Sequence, residues 1–148
     1  MKLDEITDMW ENDCEISEFN LDEASRQTPS LHAKYLQLRT KAYLGLKKAE
    51  ADQKVLLKNK WLYYEGKLSH EEIESFGWDF DPFKGLKKPI KGEMHYYYDS
   101  DSDIQASEAK VQVAKLKLDT LDEIIQNIKW RHQTIKNMIE WRRFEAGG

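Results

Sequence analysis

Apolar and small side chains recur at alternating steps of three and four from Ile104 to Ile139. The series is Ile104, Ser107, Val111, Ala114, Leu118, Leu121, Ile125, Ile128, His132, Ile135 and Ile139. It forms a heptad seam sustained for about five heptads. A helix of roughly 40 residues is ~60 Å long, and alone it has nothing against which to bury such a stripe. A second long helix must lie along it, from the same chain or from a neighbouring subunit. Val113, Leu116, Ile124, Trp130, Trp141 and Phe144 fall off the seam and add apolar faces that favour self-association. His132 reads as a buried or interface polar residue that fixes register. The expected assembly residues are Val111, Leu118, Leu121, Ile125, Ile128, Ile135, Ile139 and Phe144.

A partner helix is available within the chain. Thr28-Pro29 is a start signal, because Thr caps and Pro fits the first helical position. No other proline interrupts the helical composition up to Gly66. Leu31, Tyr35, Leu38 and Ala42 define one face, extended less cleanly by Gly45, Ala49, Leu56 and Tyr63. Gly66 suits a C-cap, with Lys67 near the negative end of the dipole. Upstream, Leu3, Ile6, Trp10 and Cys14 have helical spacing, with Asp4, Glu5 and Asp8 at the positive end of a short helix. Residues 15–28 lose the pattern and read as a turn.

Residues 68–103 change character. Glycine, proline and aromatics concentrate there, including Tyr96-Tyr97-Tyr98. Ser69-His-Glu-Glu-Ile reads as a short capped helix, and 84–98 as a hairpin or extended loop. The acids of Asp99-Ser-Asp-Ser-Asp103 lack the glycine and closing glutamate of an EF-hand, so this run reads as a solvated helix start. The expected fold is mainly α. It is a long helical hairpin-like protomer with a short N-terminal helix and an irregular or small hairpin insert, assembling through its C-terminal helix. Its segments are an N-terminal arm with a basic helix (1–67), an insert (68–103) and an oligomerisation helix (104–148).

Charge divides unevenly along the chain, whose net value is -4. Residues 1–33 hold two basic and nine acidic side chains; residues 34–67 hold nine and three. Residues 68–103 return to four basic and nine acidic, and 104–148 hold eight and six. A basic helix between acidic flanks binds an anion locally without a basic protein overall. The alternative is a merely solvated lysine face.

Within the basic segment, Lys54 to Lys67 carries four lysines and three aromatics in fourteen residues. Lysines neutralise phosphates and aromatic rings stack on unpaired bases, so the combination points to single-stranded nucleic acid. On an ideal helix Lys47, Lys54, Lys58 and Trp61 share a narrow stripe, while Lys60 and Lys67 fall opposite. The candidate contacts are Lys47, Lys54, Lys58, Lys60, Lys67, Trp61 and Tyr64, with Trp61 and Tyr63 open to core packing instead.

Catalytic chemistry has no visible carrier. There is no Gly-rich phosphate loop. His32, His70, His95 and His132 are scattered, and the single cysteine, Cys14, permits no internal disulfide. No metal, cofactor or enzyme activity is expected. No run approaches the ~18 apolar residues of a membrane helix, and no signal peptide is evident, so a cytoplasmic protein is expected.

The stretch Ala49-Glu-Ala-Asp-Gln-Lys-Val-Leu-Leu-Lys-Asn-Lys-Trp-Leu-Tyr-Tyr-Glu-Gly-Lys67 is similar to the signature segment of the UvsY family, the recombination mediators of T-even-type bacteriophages. The end of the chain, from Ile135 to Gly147, resembles that family's end as well. The resemblance implies a protein that binds single-stranded DNA and loads a RecA-like recombinase onto strands covered by single-strand-binding protein. It implies contacts with both proteins, a homo-oligomeric ring of six or seven subunits, and an infected bacterial host cell. The family's basic-x-basic DNA contact falls on Lys58 and Lys60. Lys60 stands where the family typically has Arg, keeping the charge but losing the planar fork. Residues alone leave a second function class open, a coiled-coil assembly or adaptor protein without DNA binding.

Overall fold

The computed structural model of the protein describes residues 1–147 and is all-helical, with no strand among them. The helices are α1 (Leu3–Asp13), α2 (Leu21–Tyr64), α3 (His70–Phe76), α4 (His95–Ser100), α5 (Ser102–Lys129) and α6 (Arg131–Glu145). Contacts gather the chain into two compact units, one of residues 1–45 with 114–148 and one of residues 46–113. These units cut across the linear segments read from composition, because α2 and α5 each supply residues to both.

In the first unit Ile6 of α1, Tyr35 and Ala42 of α2, and Leu121, Ile124, Ile125 and Ile128 of α5 form one buried cluster. Tyr35 is fully buried and meets Trp10 edge-on at 5.4 Å. Its hydroxyl donates to Asp13, 2.9 Å away, which also pairs with Lys34. Burial first, and then the Asp13 acceptor, push the Tyr35 phenol well above its ordinary pKa, so it stays a donor. Arg39 on α2 pairs with Asp122 on α5. A second cluster joins Leu21 and Ala24 to Ile135 of α6.

The seam is therefore largely covered by the chain's own α2. Leu121, Ile125, Ile128 and Ile135, and in the other unit Val111, are buried inside the protomer, and Leu118 is half-buried. Of the expected assembly residues, Ile139 and Phe144 stay exposed. The seam is also not carried by one unbroken helix. It breaks at Trp130, whose N–H is shared between the Gln126 and Asn127 carbonyls at 3.3 and 3.2 Å. His132 lies just beyond the break and is exposed, its Nδ1 2.9 Å from the Lys129 carbonyl.

The second helix begins at Leu21, ahead of the expected Thr28-Pro29 start. Proline removes one backbone donor. The burial of Leu21 and Ala24 against Ile135, and acidic Asp22 and Glu23 in the first turn, outweigh that loss.

In the second unit Tyr63, Tyr64, Ile73, Phe83 and Met94 form an aromatic-rich core. The capped helix at Ser69 forms as read: the Ser69 hydroxyl accepts from Glu72 N–H and Glu72 reaches back to Ser69 N–H. Residues 84–98 form no hairpin; they hold a loop, a 3₁₀ turn (Lys91–Glu93) and the start of α4.

Candidate nucleic-acid interface

The C-terminal part of α2 carries the candidate site. Around this helix Leu46, Lys60, Tyr63 and Tyr64 are buried, and Gln53 and Leu56 are half-buried. Lys47, Lys54, Lys58 and Trp61 lie on the opposite, exposed side. Lys47 engages Glu50 at 3.8 Å. Among the described residues no ion pair engages Lys54 or Lys58.

Lys60 has a different setting. It is 3% exposed, and its ammonium lies 2.9 Å from both Asp101 and Asp103. Trp78 faces the same ammonium at 3.9 Å from the ring centroid, a cation–π distance. Lys60 thus points into the second unit and its charge is spent there. A buried charge needs partners of this kind. Periodicity placed Lys60 opposite Lys58; the covering of that face turns the difference into burial.

Asp101 is the centre of this arrangement. One carboxylate oxygen accepts from the N–H groups of Asp103 and Ile104 at 2.9 and 3.0 Å, capping α5. The other accepts the Tyr64 hydroxyl at 2.6 Å and the Lys60 ammonium. Burial alone would raise the carboxyl pKa. The bonds from Tyr64, Ile104 N–H and Lys60 outweigh it and hold Asp101 below its ordinary value. Tyr64 is pushed well above the ordinary phenol range, by burial first and then by Asp101. The 99–103 run is therefore not simply solvated: two of its acids receive a buried lysine. The expected contact Tyr64 lies inside the core with Tyr63, whose hydroxyl donates to the Asp79 carbonyl at 2.6 Å.

Lys67 moves the other way. Gly66 adopts φ 71°, a left-handed conformation natural to glycine. The Lys67 N–H then bonds the Leu62 carbonyl at 2.9 Å and the Gly66 N–H bonds that of Tyr63 at 3.2 Å, a Schellman cap. This reversal sets the Lys67 ammonium 4.6 Å from the Trp61 ring centroid. Lys67 thereby joins the face bearing Lys58 and Trp61, although an extended helix would put it opposite. Asp101, Asp103 and Trp78 were missed as partners of Lys60. Their signal was a lysine on the face marked by Leu56 and Tyr63, which demands buried counter-charge.

A family model described as "Recombination, repair and ssDNA binding protein UvsY" matches residues 9–148. The chain is 25% identical over 147 residues to the recombination protein uvsY of Enterobacteria phage T4, covering 99% of both. It is similar in fold to crystal structures of the bacteriophage T4 recombination mediator protein UvsY. In lattice type II the TM-score is 0.79 at 24% identity, over 99% of this chain and 98% of that one. In lattice type IV it is 0.77 at 22% identity, over 98% and 99%. With a match across nearly its whole length, the chain belongs to the UvsY family of recombination, repair and single-stranded DNA-binding proteins.

Proposed function

We propose that the protein is a recombination mediator that binds single-stranded DNA and loads a RecA-like recombinase onto strands covered by single-strand-binding protein, without a catalytic step. The observation that carries this reading is the exposed face of α2. There the ammoniums of Lys54 and Lys58, unpaired among the described residues, lead to Trp61, which is 46% exposed, and Lys67 lies over its ring. Ammonium groups neutralise successive phosphates and the indole offers a stacking platform, which together bind strands with little sequence preference. Lys60, clamped between two carboxylates, positions the end of α2 instead of meeting phosphate.

The working form is a homo-oligomeric ring of six or seven subunits in the cytoplasm of an infected bacterium. No described helix is long and apolar enough to cross a membrane. With the seam covered, assembly through α5 and α6 falls to their exposed apolar residues Val113, Leu116, Trp130, Ile139, Trp141 and Phe144. Several copies of the α2 face then hold one strand by avidity. A strand bent over these copies sheds the competing binding protein and presents itself for recombinase nucleation.

Fluorescence anisotropy of labelled oligothymidine across a salt series, with mass by light scattering, tests this. Tight, salt-sensitive binding by a multimer is expected. A multimer that fails to bind at low salt leaves the adaptor role in its place.

A further inference from the structure

The loop from Lys84 to Lys91 places four lysines in eight residues, together with Leu86 and Ile90, which are 69% and 70% exposed. Lys88 is engaged by Glu65 at 3.0 Å; among the described residues no ion pair engages Lys84, Lys87 or Lys91. The loop also borders a cavity of about 590 Å³, lined by Leu86, Pro89, Ile90 and Tyr96 with Lys87 and Lys88. Glu93 is the one carboxylate there, against two lysines. Tyr96 is 65% exposed, with the His95 ring 4.1 Å from its own on one side and the rest of the ring open to a ligand.

The Lys88–Glu65 pair locates this loop. Glu65 follows Trp61 by one helical turn, and its N–H still bonds the Trp61 carbonyl at 3.0 Å. It therefore continues the face of Lys54, Lys58 and Trp61. That face is ~16 Å long from Lys54 to Glu65 at the helical rise, and Lys88, midway along the loop, meets it where it ends.

We infer that the Lys84–Lys91 loop and the cavity beside Tyr96 form a second subsite for the same strand, with phosphate on Lys87 and Lys91 and a base against Tyr96, Leu86 and Ile90. The inference rests on the proposed single-stranded DNA binding and extends its path. An apolar floor with one exposed aromatic suits a nucleobase, and the cationic rim suits the phosphates on either side of it. The Lys88–Glu65 pair sets the loop at the end of the α2 face, so one strand can run from that face onto the loop. Lys84, Lys87 and Lys91, unpaired among the described residues, can neutralise phosphates and release the counterions condensed on the strand.

The test uses full-length oligomer and oligothymidines of increasing length. Lys87→Gln with Lys91→Gln should lower the slope of log affinity against log salt by about 1.4 for each engaged subunit. It should also lengthen the shortest oligomer that binds tightly. Tyr96→Leu should weaken binding about tenfold with the salt slope unchanged, because stacking releases no counterions. Circular dichroism and light scattering confirm that both variants keep helix content and mass. A parental slope in the lysine variant, or parental affinity in Tyr96→Leu, overturns the subsite. If Lys58→Ala loses binding while the loop variants do not, only this proposal falls. If the parent itself fails to bind, the functional reading falls together with the subsite.

Discussion

Lys58 and Lys60 are two residues apart and have opposite tasks. Lys58 is exposed and unpaired among the described residues, so Lys58→Ala should remove the proposed phosphate contact and leave the fold intact. Oligothymidine affinity should fall several-fold, with the salt slope reduced by about 0.7 per engaged subunit. Lys60→Ala strands Asp101 in the interior. Breaking one side of a buried pair costs about 3–5 kcal/mol, so its urea midpoint should drop sharply, and DNA binding should fail only as the fold fails. Equal stability of the two variants would contradict the assigned roles. The same cluster makes an acid-sensitive contribution. The folded Asp101 carboxyl lies below its ordinary value of 3.8. Between the two values the unfolded chain takes up a proton that the folded chain refuses. The stabilisation is therefore complete above the ordinary value and is lost as pH falls through the folded one. Asp101→Asn should flatten the fall of the urea midpoint in that acidic range, while keeping a side-chain oxygen to cap α5.

At the level of elements, the end of α2 carries more than its length. Gly66 has no atom within 4 Å of the position a Cβ would take. Its glycine requirement is thus conformational, at φ 71°. Gly66→Ala should cost about 1 kcal/mol in urea unfolding and, by loosening the Lys67–Trp61 contact, weaken oligothymidine binding. A variant as stable and as tight as the parent would detach the cap from the site. The C-cap glycine, the Ser69 capping box and the helical class of the chain were all legible, because each depends on neighbours within one or two turns. The starts and breaks were not. Leu21 precedes Pro29 into α2 because distant Ile135 covers it, and α5 gives way to α6 at Trp130 with no local breaker such as proline or glycine. At Leu21 long-range burial overrides local propensity; the break shows only as the Trp130 N–H shared between two carbonyls.

For the whole molecule, the heptad seam separates folding from assembly. Leu121 is fully buried among α1, α2 and α5 residues. Leu121→Asp should therefore unfold the protein, seen as lost helical signal, instead of yielding a folded monomer. Trp141 and Phe144 are 62% and 70% exposed and stack at 5.4 Å. Trp141→Glu with Phe144→Glu should keep the helical signal, reduce the mass seen by light scattering, and lower the apparent affinity for long strands through lost avidity. A double variant of unchanged mass would place the interface elsewhere. The seam's period promised a long apolar stripe, and two occupants were open, another subunit or the chain's own α2. The fold gives most of it to α2.

By itself the sequence determined the helical class, the long seam, the capped ends, and the angular relation of Lys54, Lys58 and Trp61 on one stripe with Lys60 opposite. These are consequences of the helical period, which relates residues within one element. Only the tertiary structure decided which of those angles is removed from water. Covering one side of α2 buried Lys60 and Tyr64 against Asp101, left Lys58 and Trp61 to solvent, and turned the seam inward. The physical reason is that a period specifies relative directions around a helix axis, whereas desolvation depends on what other elements are packed against it, and it is desolvation that separates a structural charge from a binding one.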